Sequence, residues 1–316
     1  MTYPRVAVQQ TSVVETADIG ANTSIGHFSH VASNAKIGDD CVIHDHVAIG
    51  SDATIGNHVV IESGARLCGD IVVEDGVHIG VNVTLDNSRH DEAAPSREPR
   101  SMRTTVRAGA RIGSAATLLS GVTVGIKSFV APGSVVTQNV PPNAVVSGNP
   151  AHIVGYASSS RATSPLATPQ ERRRQRRAPA TTVAGVKLIE LPIVKDLRGT
   201  LSVAEYDKTL PFIPKRYFVV YDVSNYEVRG EHAHKRLQQF LVCVRGSGAV
   251  VVDDGEYRDE ILLDSPGIGL YLPPMIWATQ YKFSPDAVLL VLADDVYEAD
   301  DYIRDYDEYL VLKERK

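Results

Sequence analysis

Every sixth residue from Val13 to Leu85 is aliphatic, and the column resumes as Val106, Ile112, Leu118, Val124, Val130 and Val136. An α-helix repeats every ~3.6 residues and a flat strand every ~2, so neither demands a strict period of six. A coiled parallel β-solenoid does, because each short strand drops one apolar side chain into a narrow prism. Ala35, Ala53 and Ala65 stand four positions after column residues, and Gly20, Gly26, Gly38, Gly50 and Gly56 follow them directly. The pattern predicts turns of three hexapeptides, about eighteen residues each.

After Val186 the pattern changes to short β-rich runs at 217–221, 239–244, 249–252, 260–263 and 288–292. Turn signals separate them, among them Asp253-Asp-Gly255, Ser265-Pro-Gly267 and Pro273-Pro274. Many short strands without a long intervening helix predict an antiparallel double-sheet jelly roll of the cupin type. The acidic stretch 294–304 predicts a short helix, and 309–312 a last strand. The chain is therefore expected to be all-β, a parallel β-solenoid followed by a jelly roll.

Between the halves, 157–182 turns to Ser, Ala, Thr and Pro with an arginine block at Arg172, Arg173, Arg174, Arg176 and Arg177. No apolar periodicity survives there, so the segment buries too little to offset chain entropy and predicts a tether, with part-helical character around 170–177. The expected domains are 1–156, a linker at 157–182, and 183–316.

Composition narrows the class. Hydrophobic residues make up 43% and charged residues 22%, as in a soluble globular protein, and the net charge of −6 offers no general attraction for nucleic acid or anionic membrane. No apolar run approaches ~18 residues and the N-terminus lacks a signal-peptide layout, so a cytoplasmic protein is expected. Cys41, Cys68 and Cys243 form no CxxC and read as reduced thiols.

Regular solenoid faces offer little chemistry, so function is expected where the column breaks. The long break is Asp86–Thr105, which carries Asn87 and His90. The hexapeptide pattern resembles that of left-handed β-helix proteins, most of which are acyltransferases. Asn82-Val83-Thr84-Leu85-Asp86-Asn87 resembles the turn before the active-site loop of nucleotide-sugar N-acetyltransferases in that class. The stretch Val130-Ala131-Pro132-Gly133-Ser134 through Gly148-Asn149-Pro150-Ala151 resembles their coenzyme A-binding end. The resemblance implies a trimer with acetyl-CoA between subunits, held near Ala131, Gly133, Asn149 and Pro150, and Asn87 orienting the sugar amine or the thioester. His90 is a candidate base, since a neutral imidazole accepts an ammonium proton near pH 7. A zinc site across stacked coils is the rival for His27, His30, His44, His46, His58, His78 and His90, but no two of these differ by 18 or 36 positions.

The densest constellation is Arg229-Gly230-Glu231-His232-Ala233-His234-Lys235. On a strand His232 and His234 share one face. A metal cupin continues HxH with a carboxylate, yet Gln238 and Gln239 stand there, and Pro273-Pro274-Met275-Ile276-Trp277-Ala278 supplies no further histidine. Two imidazoles are too few for a three-ligand site, so no metal is expected. Lys215-Arg216-Tyr217-Phe218, the Arg229–Lys235 motif, Pro273-Pro274-x-x-Trp277 and Asp301-Tyr302-Ile303-Arg304-Asp305-Tyr306 together resemble dTDP-4-keto-6-deoxyhexose 3,4-ketoisomerases. The resemblance implies metal-free conversion of a 4-keto sugar nucleotide to its 3-keto isomer. His234 is assigned as main base and His232 as partner acid or shuttle, with exchange of the two left open. Arg216 and Arg229 suit the diphosphate, Tyr217 or Tyr221 the sugar oxygens, and Gln239 completes the substrate contacts.

The whole arrangement resembles bifunctional ketoisomerase/N-acetyltransferases, which implies dTDP-linked sugars as substrates and acetyl-CoA as co-substrate. A separate PLP aminotransferase would act between the two steps. It also implies a homo-oligomer, trimeric through the solenoid and dimeric through the cupin, with a hexamer satisfying both. The alternatives are a non-catalytic sugar-nucleotide-binding scaffold and a metal-dependent cupin fused to an acyltransferase of other specificity.

Overall fold

The computed structural model describes residues 6–85, 103–157, 181–206, 208–224 and 227–314. The chain divides into two compact units, Met1–Ala157 and Ser158–Lys316.

The first unit is a parallel β-solenoid of about 7 turns. Its strands, mostly two residues long, stack into three sheets of nine, seven and five strands. Partners lie eighteen positions apart: Arg66 sits opposite Ala48 and Thr84, and Val42 opposite Ser24 and Val60. The column residues from Ile25 to Val136 that lie in these strands are almost fully buried, each aliphatic side chain worth about 1.5–3 kcal/mol on burial. Across the break, Thr84 pairs with Thr117 and His78 with Arg111, 33 positions apart rather than 18. The excursion is thus an insertion of fifteen residues into one turn that leaves the register on both sides intact.

The column differs from expectation at its open end. Val13 is 56% exposed, and Val14 pairs with Val31 in its place. The first turn is one residue short, so alternation throws Val13 outward.

Left-handed backbone recurs every six residues at Asn22, Phe28, Asn34, Asp40, His46, Asp52, His58 and Gly64. These are the coil corners, where a positive φ favours Asn, Asp and Gly. His46 and His58 are therefore corner residues. His44 and His78 instead flank one carboxylate, Glu62, at 3.6 and 3.2 Å. A hairpin, Ala144–Gly148 with Ala151–Tyr156, closes the last turn, where Val146 pairs with Val130.

The second unit is an antiparallel jelly roll. Its strands are β1 (Lys187–Glu190), β2 (Ile193–Asp196), β3 (Gly199–Ser202), β4 (Arg216–Tyr221), β5 (Arg229–His234) and β6 (Gln239–Arg245). After these come β7 (Gly248–Asp253), β8 (Arg258–Leu263), β9 (Ile268–Leu272), β10 (Trp277–Tyr281), β11 (Val288–Ala293) and β12 (Tyr302–Ile303), and helix α1 (Tyr306–Glu314) ends the unit. One sheet has the order β1-β9-β6-β11-β4 and the other β8-β7-β10-β5-β12, while β2 and β3 form a separate hairpin. The core between the sheets gathers Leu241, Val250, Val252, Leu263, Leu270 and Val291.

One expectation fails near the C-terminus. The stretch 294–304 holds a short 3₁₀ helix, Ala299–Asp301, followed directly by β12, but the strand expected at 309–312 is part of α1. Asp305 caps that helix, accepting from the backbone N–H of Glu308 at 2.8 Å. Tyr306 and Tyr309, three apart, turn inward against Trp277 and both hydrogen-bond Asp253. No helix among the described residues is long and apolar enough to cross a membrane.

Candidate active site

A cavity in the jelly roll is lined by His232, His234, Leu237, Gln239, Leu272, Pro273, Ile276, Ala278 and Gln280. Strand β5 supplies both imidazoles, and a bulge sets their approach. The pairing of β5 with β10 shifts register between Gly230 and His232. Both residues of the bulge are left-handed, Gly230 at φ 85° and Glu231 at φ 53°. A Cβ on Gly230 would fall 2.6 Å from the Ala278 carbonyl oxygen, so glycine is required. The bulge presents the Gly230 carbonyl to His232, whose Nδ1 donates to it at 2.8 Å.

His234 is held differently. Its Nδ1 donates to Asp301 Oδ2 at 3.0 Å, and both side chains are buried. Asp301 is fixed in turn by the backbone N–H groups of Arg236 (2.9 Å) and Leu237 (3.3 Å). The amide of Gln239 lies 3.1 Å from His234 Nε2 and donates to it. The rings of His232 and His234 meet edge to face at 4.9 Å, and Tyr302 packs on both, at 4.9 and 4.3 Å. With each Nδ1 spent on an acceptor oxygen, both Nε2 atoms carry lone pairs in the neutral state.

Both imidazoles are kept neutral near pH 7. Burial, reinforced by the charges of His232 and Arg216, outweighs the Asp301 bond and holds His234 down at about 4. Burial and the Arg304 charge lower His232 against its bond to Gly230. Arg304 stacks on Tyr302 at 4.4 Å, and Arg216 lies 5.7 Å from the rings of both Phe218 and Tyr297. Among the described residues the buried Arg216 Nε has no hydrogen-bond partner.

Residues 184–314 match the family described as FdtA: WxcM-like, C-terminal. Over 123 residues the chain is 46% identical to the TDP-4-oxo-6-deoxy-alpha-D-glucose-3,4-oxoisomerase of Aneurinibacillus thermoaerophilus, covering 39% of this chain and 88% of that protein. The chain belongs to the FdtA family. Residues 16–51 match the bacterial transferase hexapeptide repeat, so the protein is a fusion of an FdtA-like, cupin-type domain with a hexapeptide-repeat transferase domain. Here the similarity is shorter: 44% identity over 54 residues to a dTDP-3-amino-3,6-dideoxy-alpha-D-galactopyranose 3-N-acetyltransferase of the same organism, 17% of this chain and 28% of that protein. Among solved structures, a 3,4-ketoisomerase from Helicobacter canadensis is 40% identical, with 41% of this chain and 98% of that chain covered and a TM-score of 0.40.

Of the residues singled out in sequence, the FdtA-like domain brings His232, His234 and Gln239 into one cavity, with Arg216 alongside His234. It does not bring Tyr217 or Tyr221 there. Strand β4 alternates, so Arg216, Phe218 and Val220 turn inward while Tyr217 and Tyr221 are 69% and 62% exposed on the other face. Arg229 is exposed at the start of β5 and does not line the cavity. In the transferase domain Asn87 and His90 lie outside the described residues. Ala131 and Gly133 sit at the last coil, and Asn149 and Pro150 at the tip of the closing hairpin. Ser134 Oγ accepts from the Gly148 N–H at 3.3 Å and ties these stretches together.

Two residues escape sequence reasoning. Asp301 stands in the quoted Asp301–Tyr306 motif, but nothing in that motif marks it as the partner of a histidine 67 positions away. Gln280 lies on β10, a strand hidden behind the Pro273-Pro274 turn signal.

Proposed function

We propose that the protein is a bifunctional sugar-nucleotide enzyme. Its C-terminal domain isomerises dTDP-4-keto-6-deoxyglucose to the 3-keto sugar, and its N-terminal domain N-acetylates the derived 3-amino sugar nucleotide with acetyl-CoA. The isomerase reading rests on one observation above others: two neutral imidazoles lining one cavity, each with its Nδ1 committed, in a domain 46% identical over 123 residues to a 3,4-oxoisomerase.

The chemistry needs two proton shifts. A base removes the hydrogen on C3, leaving an enediolate with charge on the C4 oxygen. The hydroxyl hydrogen passes from the C3 oxygen to the C4 oxygen, and a proton returns to C4 as the carbonyl forms at C3. A neutral imidazole performs both carbon transfers, as base and then as acid. The geometry favours His232 for this work, an exchange of the roles first assigned. His234 has both nitrogens engaged and a pKa far below the working pH, whereas His232 is less buried and its Nε2 is uncommitted. His234 then orients the pocket wall, and Arg216, with its orphaned Nε, suits the diphosphate.

The acetyl transfer rests on the hexapeptide repeats and the 3-N-acetyltransferase relative. A Cβ on Gly133 would meet no atom within 4 Å, so that corner offers bare backbone to a ligand such as the pantetheine arm. Acetyl-CoA supplies the acyl group. Asn87 is proposed to orient the amine, with His90 as its base.

The test is incubation of the full chain with dTDP-4-keto-6-deoxyglucose in deuterated water, read by NMR. Appearance of the 3-keto isomer with deuterium at C4 supports the reading, and His232→Asn abolishes both. A wild-type protein that neither isomerises nor exchanges overturns it.

A further inference from the structure

The proton transfers proposed above leave one group of the pocket idle. Gln280 and Ala278 are two apart on β10 and both line the cavity. Pairing sets Ala278 opposite His232 and Gln280 opposite Arg229, so the Gln280 side chain stands one step along the sheet from the imidazole. Gln280 is 7% exposed, and no hydrogen bond among the described residues uses its carboxamide. The carboxamide is not among the fully buried polar atoms that lack a partner, so it opens onto the cavity, within reach of a ligand, rather than being sealed in the core. Neighbouring amides are not left this way. Gln239 donates to His234, and Gln238 is held by Asp294 and Tyr271.

The reaction supplies a reason for the exception. Negative charge develops on the sugar oxygens once the C3 proton leaves, in a pocket walled by Leu237, Leu272 and Ile276. The two imidazoles turn lone pairs, not N–H groups, toward the cavity. Gln239 spends one of its two amide N–H groups on His234, and Arg216 does not line the cavity. An oxyanion there requires a donor already in place. Among the lining side chains, Gln280 has both amide N–H groups uncommitted.

We propose that Gln280 is a catalytic residue of the isomerisation, its amide N–H donating to the sugar oxygen that carries the enediolate charge. The assignment rests on the isomerase reading of the pocket. It places the carboxamide on the transition state more than on the ground state, so its loss falls on kcat.

Two variants test it, with dTDP-4-keto-6-deoxyglucose as substrate and the full chain as enzyme. Gln280→Leu is expected to lower kcat roughly hundredfold, with KM within about threefold of wild type. Gln280→Glu keeps the shape and carries the test if the leucine variant does not fold. It is expected to be equally slow at pH 8 and to recover as the pH falls, because only the protonated carboxyl donates a hydrogen bond. A merely structural glutamine would produce no such recovery. A Gln280→Leu kcat within about twofold of wild type, or a loss confined to KM, overturns the assignment. A wild-type enzyme without isomerisation or exchange removes the isomerase reading and this assignment with it.

Discussion

His232 and His234 lie two residues apart on one strand, yet their surroundings give them different work. His232 leans on a neutral carbonyl and His234 on a buried carboxylate that also gathers two backbone N–H groups. Asp301 is thus a positioning residue acting through His234. Asp301→Asn is expected to lower kcat roughly tenfold to hundredfold, the worth of a charged hydrogen bond, in steady-state assays of isomerisation. KM should change little, because the side chain does not line the cavity. The lowered pKa of His232 makes a second prediction. The imidazole must be neutral to accept the C3 proton, so the acid limb of the kcat/KM profile should lie below pH 6.5 and be flat above it. Stability follows the same logic at His234. Its folded pKa, about 4, is below the unfolded value of about 6.5, so the unfolded state binds the proton first as pH falls. Stability is full above 6.5 and declines between 6.5 and about 4, by at most about 3 kcal/mol. Denaturant melts at pH 7 and pH 4.5 should show the decline, and His234→Gln should flatten it.

At the scale of elements, the strands that were legible in sequence were those that form continuous β-rich apolar runs between turn signals. The runs at 217–221, 249–252 and 288–292 match β4, β7 and β11 to within a residue or two at each end. Helix α1 was misread because Tyr309-Leu-Val-Leu312 is rich in strand-formers. What decides it is tertiary: Tyr306 and Tyr309 reach Asp253, a contact across more than fifty positions. Local propensity has no access to that. The solenoid was legible for the opposite reason, since each coil is solved by the same six-residue rule and pairs only with its neighbours. Its one slip, Val13 for Val14, comes from a shortened first turn that leaves the apparent period intact. The imidazoles were visible through spacing alone, whereas Asp301 and Gln280 enter the site only when β12 and β10 flank β5. The Asp305 cap belongs to this scale as well. Asp305→Ala removes the acceptor for the Glu308 N–H and is expected to cost about 1 kcal/mol in denaturant unfolding of the C-terminal unit.

For the whole molecule, the chemistry of the halves sets how they must be related. On the proposed reading one delivers a ketone at C3 and the other acylates an amine there. A separate amine-transfer enzyme of the PLP type is then proposed to act between them, with the intermediate leaving one domain before it reaches the other. Covalent linkage is then not needed for either reaction. Truncations ending or starting within 157–182 are expected to keep one activity each: acetylation in 1–156 and isomerisation in 183–316. Adding an aminotransferase and an amino donor to the mixed fragments should restore the acetylated product from the 4-keto sugar, while omitting it should leave the 3-keto isomer. The same fragments test assembly, with light scattering expected to give a trimer for the solenoid, a dimer for the jelly roll and a hexamer for the intact chain. Soluble fragments that have each lost activity would mean that the domains depend on one another. In that case the tether would have to be regarded as part of a site rather than as a spacer.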